Sequence, residues 1–145
     1  MTRARMAGFA GALLAAATVV NACSGSGSNS SSALAPSGTL VTDTFSGTVQ
    51  PGGLDFHTFT VTTGGTVSIT LLTAGPPATI TMGLAIGTPS STGTCALLSG
   101  GSTLATAGST AQLTGTVAAG SYCVEVVDVG NAAGPIAYSL TAAHT

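Results

Sequence analysis

From Gly38 to the C terminus, short runs in which apolar residues alternate with small or polar ones are separated by Gly, Pro, Ser and Asn. Period-two alternation is typical of a strand with one packed face, and no run here repeats apolar residues at helical spacing. The clearest runs carry four apolar rows: Val67, Ile69 and Leu71; Ile80, Met82, Leu84 and Ile86; Tyr122, Val124 and Val126; Ile136, Tyr138 and Leu140. We therefore expect an all-β domain.

Weaker strands are predicted over residues 43–49, 55–62, 95–98 and 111–117. Turns containing Gly or Pro separate most of the predicted strands. About seven or eight short strands at this spacing indicate two packed antiparallel sheets. We expect residues 38–145 to form this single β-sandwich domain.

The first 22 residues have the pattern of a bacterial export signal. Both basic residues of the chain, Arg3 and Arg5, precede an uncharged apolar run from Met6 to Val20. A positive start followed by a short apolar run is typical of a secretory signal peptide, and a spanning helix needs roughly 18 to 20 apolar residues. We expect residues 1–22 to be removed and the protein to be exported.

Cys23 resembles the acceptor of the bacterial lipobox, in which an aliphatic and two small residues precede a Cys that receives diacylglycerol. Val20 and Ala22 fit this pattern, whereas Asn21 departs from it. We expect lipidation of Cys23 and a membrane-anchored envelope protein; cleavage after Ala22 without acylation is the alternative. Residues 23–37 are rich in Ser and Gly, which is typical of a flexible tether.

The chain contains three cysteines, and lipidation of Cys23 leaves Cys95 and Cys123. Two thiols in one small exported domain are expected to pair, because the compartment is oxidising. We expect no metal site at these cysteines, because the chain contains no Cys-x-x-Cys spacing. We therefore predict a disulfide between Cys95 and Cys123.

The mature sequence is almost uncharged, which limits its partners. No Lys or Arg follows Arg5, and the acids are Asp43, Asp55, Glu125 and Asp128. Nucleic acid is excluded as a partner, because its binding depends on many basic side chains that neutralise phosphates. A polybasic contact with lipid headgroups is excluded for the same reason. A surface with so few charges also favours self-association.

The order of motifs resembles the bacterial pre-peptidase C-terminal domain family. Residues 47–71, GTVQPGGLDFHTFTVTTGGTVSITL, carry the Gly-rich approach, an acid and an alternating strand, with Asp55 and Phe59 in matching places. His57 stands where the family usually has Tyr. The closing motifs are AAGSYCVEVV at residues 118–127 and AYSL at residues 137–140. The resemblance implies a jelly-roll-like antiparallel β-sandwich, a fold found beside secreted peptidase domains.

Two groups of residues suggest chemistry. Asp55 and His57 lie on one face of a predicted strand, an arrangement that a Ser could complete as a hydrolase triad. The chain has no Gly-x-Ser-x-Gly elbow, so we expect a turn-capping acid and a half-buried ring instead. The four acids could gather around calcium, but their spacing lacks the character of a calcium loop, and no metal site is expected.

The remaining candidates are aromatic. Tyr122 and Tyr138 could stack on a sugar or peptide, but both are in register with apolar neighbours and are expected in the core. His144 is the penultimate residue and is expected to fray. The sequence therefore favours a non-catalytic, envelope-anchored β-sandwich without cofactor, with a binding or structural role and an extracellular protein or glycan as ligand. A secreted hydrolase that uses His57 and a self-assembling surface or matrix protein are the alternatives.

Overall fold

The computed structural model describes residues 38–145. The predicted signal peptide, Cys23 and the tether lie outside these residues. The described part forms eight strands: β1 (Val41–Val49), β2 (Leu54–Val61), β3 (Gly65–Gly75), β4 (Thr81–Pro89), β5 (Cys95–Thr106), β6 (Leu113–Val117), β7 (Gly120–Asp128) and β8 (Ile136–His144). The prediction of an all-β domain is confirmed.

The strands form two antiparallel sheets of four strands each. One sheet, here called the β1 sheet, has the order β1-β8-β3-β6, and the other, the β4 sheet, has the order β2-β7-β4-β5. These two orders are those of an eight-stranded jelly roll, in which every connection except the β4–β5 hairpin passes from one sheet to the other. The predicted jelly-roll-like sandwich is therefore confirmed.

The core lies between the sheets and is built from the predicted apolar rows. Every residue of those four rows is buried, and Leu71, Met82, Val124 and Leu140 are completely inaccessible to solvent. Burying an aliphatic side chain of this size contributes about 1.5 to 3 kcal/mol. Because alternate residues of a strand point to opposite faces, the same rows fix which residues face outward.

Strand β5 is much longer than the sequence predicted. It spans Cys95–Thr106, whereas only residues 95–98 were expected to be extended. The additional residues are mostly Ser, Gly and Thr, so no apolar alternation marks them. The pairing of β4 with β5 changes register between Ala85 and Gly87, and Gly100 has a φ of 71°. This bulge lets β5 continue along the sheet edge.

The expectation that His144 frays is wrong. His144 is only 2 % exposed and belongs to β8, which pairs with both β1 and β3. The next residue is also fixed, because the Thr145 hydroxyl donates to the Thr63 carbonyl at 2.9 Å and the Thr63 N–H donates to the Thr145 carbonyl at 3.2 Å. A strand with partners on both sides holds its end in place.

Candidate functional site

Asp55, Tyr138 and His57 form a hydrogen-bonded chain between the sheets, where β1 meets β2. The Tyr138 hydroxyl donates to Asp55 Oδ2 at 2.8 Å. His57 Nε2 lies 2.8 Å from the same hydroxyl oxygen, and because that hydroxyl already donates to Asp55, the ring must donate to it. Phe45 stacks on the His57 ring with a centroid separation of 4.8 Å. The order of groups is acid, phenol, imidazole.

This order differs from that of a hydrolase triad. In a triad the acid holds the imidazole, and the imidazole faces the nucleophile. Here the carboxylate binds the phenol, and Asp55 Oδ2 is 3.9 Å from His57 Nε2. Burial, and then the hydrogen bond to Asp55, raise the pKa of Tyr138 above its ordinary value, so the phenol stays protonated. The arrangement fits a structural link between β2 and β8.

A second acid–histidine pair lies farther along the same seam. His144 Nε2 is 2.9 Å from Asp43 Oδ2 and donates to it, since an ionised carboxylate can only accept. The His144 ring packs on Phe59 with a centroid separation of 5.2 Å. Its Nδ1 atom is buried and has no hydrogen-bond partner among residues 38–145. This pair fastens the edge strand β1 to the end of β8.

Asp128 is a buried turn cap at the end of β7. Its Oδ2 atom accepts from the Gly52 N–H at 2.7 Å, and its Oδ1 atom accepts from Gly130, Asn131 and Ala132 at 3.1 Å each. Hydrogen bonds from the backbone, with Gly52 the largest contribution, lower the pKa of Asp128 below its ordinary value. The carboxylate joins the β1–β2 turn to the loop after β7.

The structure does not bring the four acids together. Asp43 binds His144, Asp55 binds Tyr138, and Asp128 caps backbone N–H groups, while Glu125 lies on the outer face of the β4 sheet. Within residues 38–145, no three His, Cys, Asp or Glu side chains converge in a way that could hold a metal ion.

Neither tyrosine offers a ring face to a ligand. Tyr122 is 8 % and Tyr138 is 3 % exposed, and both belong to the core. The Tyr122 hydroxyl donates to the Ala118 carbonyl at 3.0 Å. The expectation of core rings with hydroxyls at the margin of the sandwich describes both residues.

A concave surface on the outer face of the β4 sheet was not predicted. We call it the β4 groove; it has a volume of about 380 Å³. Its floor consists of Gly83 and Ala85, and its walls are the side chains of β5 and β7 and their flanks, namely Leu97, Ser102, Leu104, Glu125, Val127 and Val129. This volume lies at the small end of the roughly 300 to 1,000 Å³ typical of ligand sites.

The floor is low because the outward residues of β4 are small. Gly83, Ala85 and Gly87 alternate with the buried Met82, Leu84 and Ile86 in the run MGLAIG. A Cβ atom at Gly83 would lie 2.5 Å from Val127 Cγ1. The side chains of the neighbouring strands therefore rise on both sides of β4 and form the walls.

The predicted disulfide between Cys95 and Cys123 is confirmed, and it lies at one end of the groove. It joins β5 to β7 across the intervening strand β4. A Cβ atom at Gly87 would lie 2.8 Å from Cys95 Sγ and would collide with the Ala96 carbonyl oxygen. The disulfide thus fixes the distance between the strands that carry the two walls.

The walls of the groove are unusually apolar for a solvated face. Leu97, Leu104 and Val129 are 49 %, 67 % and 45 % exposed, and Leu54 lies on the same face of the sheet. Glu125 is the one ionisable side chain among the lining residues. Burial raises its pKa above the ordinary value. The groove therefore combines apolar walls with a single half-buried carboxyl group.

The outer face of the β1 sheet has a different character. Its central residues are mostly Ser and Thr: Thr44, Ser46, Ser68, Thr70, Thr73, Ser139 and Thr141. Thr73 and Ser139 hydrogen-bond to each other at 2.7 Å. Hydroxyl side chains suit contact with water, so the two outer faces of the sandwich are chemically distinct.

Sequence reasoning missed the groove for a specific reason. The small outward residues of β4 were visible in the alternation of residues 80–86, but the strand that supplies Leu104 was not recognised. Without β5 as a neighbour, nothing placed Leu97 and Leu104 beside Gly83 and Ala85. The exposed Leu in a Ser/Gly/Thr-rich stretch was the one signal available.

Comparison of the chain with protein-family models and with curated proteins finds no match. Among residues 38–145 there is no helix of the length and apolarity needed to cross a bilayer.

Proposed function

We propose that this chain is a non-catalytic binding protein of the cell envelope and that the β4 groove is its ligand-binding surface. The observation that carries the proposal is the asymmetry between the two outer faces. The β1 sheet presents mainly Ser and Thr hydroxyls, with Leu72 as an isolated exposed apolar side chain on β3. The β4 sheet instead gathers the exposed Leu97, Leu104 and Val129 around a recess. Apolar side chains gathered around a recess favour a recognition site over a solvated face.

The seam between the sheets supports a non-catalytic role. His57 bonds to a phenol that Asp55 already binds, and burial holds that phenol in its protonated form. A hydrolase would need a nucleophile placed so that the imidazole could remove its proton. The contacts of His57 are better explained by a role in stabilising the fold than by a role in catalysis.

Export and anchoring are part of the same proposal. The pattern of residues 1–22 supports secretion, the disulfide is compatible with an oxidising compartment, and Cys23 supports attachment through lipid. The jelly-roll fold is in accord with the resemblance to the pre-peptidase C-terminal domain family. An extracellular protein fits the groove better than a glycan, because the chain has no Trp and both Tyr rings are buried.

Partner retention tests the proposal with a matched pair of variants. Ser102 and Ser46 are exposed Ser residues on the outer faces of the edge strands β5 and β1. Ser102→Trp fills the groove, so a partner that co-purifies with the wild-type protein should be lost, whereas Ser46→Trp and His57→Ala should retain it. Loss with His57→Ala alone, together with loss of a hydrolytic activity, would support the hydrolase alternative.

A further inference from the structure

We propose that the β4 groove binds an extended peptide segment in which one basic side chain stands between two apolar ones. This inference rests on the proposed binding role of the groove and adds the chemical class of its ligand. It follows from how the strand register arranges apolar and acidic side chains along β4.

The register places the outward residues in rows across the sheet. Val127, Gly83 and Leu104 are paired in one row. Glu125, Ala85 and Ser102 form the next row. Adjacent rows are about 7 Å apart, because each is two residues of about 3.4 Å farther along the strand.

A third row follows at the disulfide. Gly87 pairs with Leu97 on one side and with Cys123 on the other. Leu97 is 49 % exposed, so this row again presents an apolar side chain to solvent. Along β4 the three rows therefore present in turn an apolar side chain (Leu104), an acidic one (Glu125) and a second apolar one (Leu97).

An extended peptide has a matching repeat. Every second side chain of a strand points to the same side, so residues i, i+2 and i+4 also recur at about 7 Å. A segment lying along β4 would place an apolar side chain beside Leu104, a middle side chain beside Glu125, and a second apolar side chain beside Leu97. The small side chains of the floor let the peptide approach closely.

The peptide side chain beside Glu125 should be a cation, because the domain has no basic side chain to place there. Residues 38–145 contain no Lys and no Arg, so this domain cannot neutralise the half-buried Glu125 carboxylate with a basic side chain of its own. The other three acids are engaged elsewhere, and no second ionisable group lines the groove. A Lys or Arg of the ligand supplies the missing charge.

The same charge argument disfavours a second copy of this domain as occupant. Another copy would bring no basic side chain, and a two-fold pairing of the grooves would bring two Glu125 side chains toward each other. Sedimentation of the purified protein decides this point. A dimer that Ser102→Trp dissociates and Ser46→Trp does not would overturn the peptide proposal in favour of self-pairing.

Two synthetic peptides test the proposal directly by titration calorimetry with the exported, purified protein. The first is acetyl-Thr-Leu-Thr-Lys-Thr-Leu-Thr-amide, and the second has norleucine in place of Lys. We expect the Lys peptide to bind about tenfold more tightly, which is the range of a partly desolvated charge-assisted contact. Glu125→Gln should abolish this preference, Glu125→Asp should keep part of it, and Ser102→Trp should remove binding of both peptides.

The outcomes separate this inference from the proposed function. Equal binding of both peptides, unchanged by Glu125→Gln, would overturn the basic side chain and leave an apolar binding groove. Binding that survives Ser102→Trp, or no binding of either peptide, would overturn the proposed ligand class. Whether the groove is a binding surface at all would then be decided by the co-purification experiment with Ser102→Trp and Ser46→Trp. Thermal unfolding of each variant verifies that it is folded.

Discussion

Cys95 Sγ lies over Gly87, 2.8 Å from the position that a Cβ atom would occupy there. The glycine is therefore a condition for the disulfide to cross β4. Cys123, the disulfide partner of Cys95, is completely buried although its side chain points away from the core. The disulfide, the floor of the groove and the spacing of its walls form one structural unit.

Gly87→Ala should destabilise the domain by about 1 to 3 kcal/mol, the usual cost of overpacking. The added methyl group meets the Ala96 carbonyl and Cys95 Sγ, neither of which can move without moving the strand. Gly115→Ala on β6 is the control, because a Cβ atom there meets no atom within 4 Å. Chemical denaturation measures both; equal stability of the two variants would contradict the close contact.

Removal of the disulfide should cost about 3 to 4 kcal/mol in the chain-entropy model, since it closes a loop with a sequence separation of 28. The variant Cys95→Ser/Cys123→Ser should unfold at lower denaturant concentration than the wild-type protein. Peptide mapping without reductant should recover the linked peptides from the wild type. Two thiols free to alkylation in the folded protein would disprove the pairing.

Glu125→Gln should raise the melting temperature at pH 7. Burial raises the folded-state pKa of Glu125, so the stability associated with its protonated form is present below the ordinary pKa of 4.5 and is lost as the pH rises through the folded value. Gln cannot ionise and avoids that loss. The difference between variant and wild type should shrink toward pH 3.5. A variant that is less stable than the wild type at pH 7 would show that Glu125 has a stabilising partner.

Asp128→Asn should show the opposite dependence on pH. Hydrogen bonds from the backbone lower the pKa of Asp128, so its stabilisation is present above the ordinary value of 3.8 and is lost as the pH falls through the lower folded value. The variant should melt below the wild type at pH 7, and the gap should narrow in strong acid. Melting curves between pH 2 and 7 measure the difference in melting temperature between Asp128→Asn and the wild type. A difference that grows in acid would refute stabilisation of the ionised Asp128 carboxylate by the backbone hydrogen bonds.

Tyr138→Phe should cost about 1 to 3 kcal/mol, because it leaves Asp55 and His57 without their shared hydroxyl. His57→Phe is the companion variant, since it keeps a ring against Phe45 and removes only the hydrogen bond. We expect His57→Phe to lower the free energy of unfolding by less than Tyr138→Phe does, because it removes one hydrogen bond instead of two. A loss of hydrolytic activity in either variant, at unchanged stability, would contradict the structural role.

Intact mass spectrometry tests the anchor. Protein extracted from membranes should begin at Cys23 and carry added acyl mass, and Cys23→Ser should move the protein to the soluble fraction. A chain that begins at Pro36, after cleavage at the Ala-x-Ala sequence of residues 33–35, or one with an unmodified Cys23, would refute lipidation.

Alternation made the core predictable from the sequence. Leu71, Val124 and Leu140 stand in unbroken period-two runs, and the structure buries all of them. The disulfide followed from the number of cysteines and the expected compartment. In contrast, Leu104 lies in a stretch of Ser, Gly and Thr that forms a strand because β4 offers it an edge. Such tertiary pairing leaves no local pattern.

The partners of the acids were equally hidden. Asp43 and His144 are separated by 101 positions, and Asp55 and Tyr138 by 83. The register of β1 against β8 brings Asp43 beside His144. The packing of the two sheets against each other brings Asp55 on β2 to Tyr138 on β8. The groove was missed for the same reason, because its walls come from β5 and β7 and its floor from β4.

The measurement that tests the groove most directly is site-specific photocrosslinking in intact cells. A photoreactive phenylalanine analogue is placed at Val129, which is exposed at the rim of the groove, or, as the control, at Ser46 on the opposite outer face. Binding through the groove predicts a discrete adduct from Val129 that Leu104→Asp abolishes, and no discrete adduct from Ser46. A discrete adduct from Ser46 alone, or a Val129 adduct unaffected by Leu104→Asp, would contradict binding through the groove.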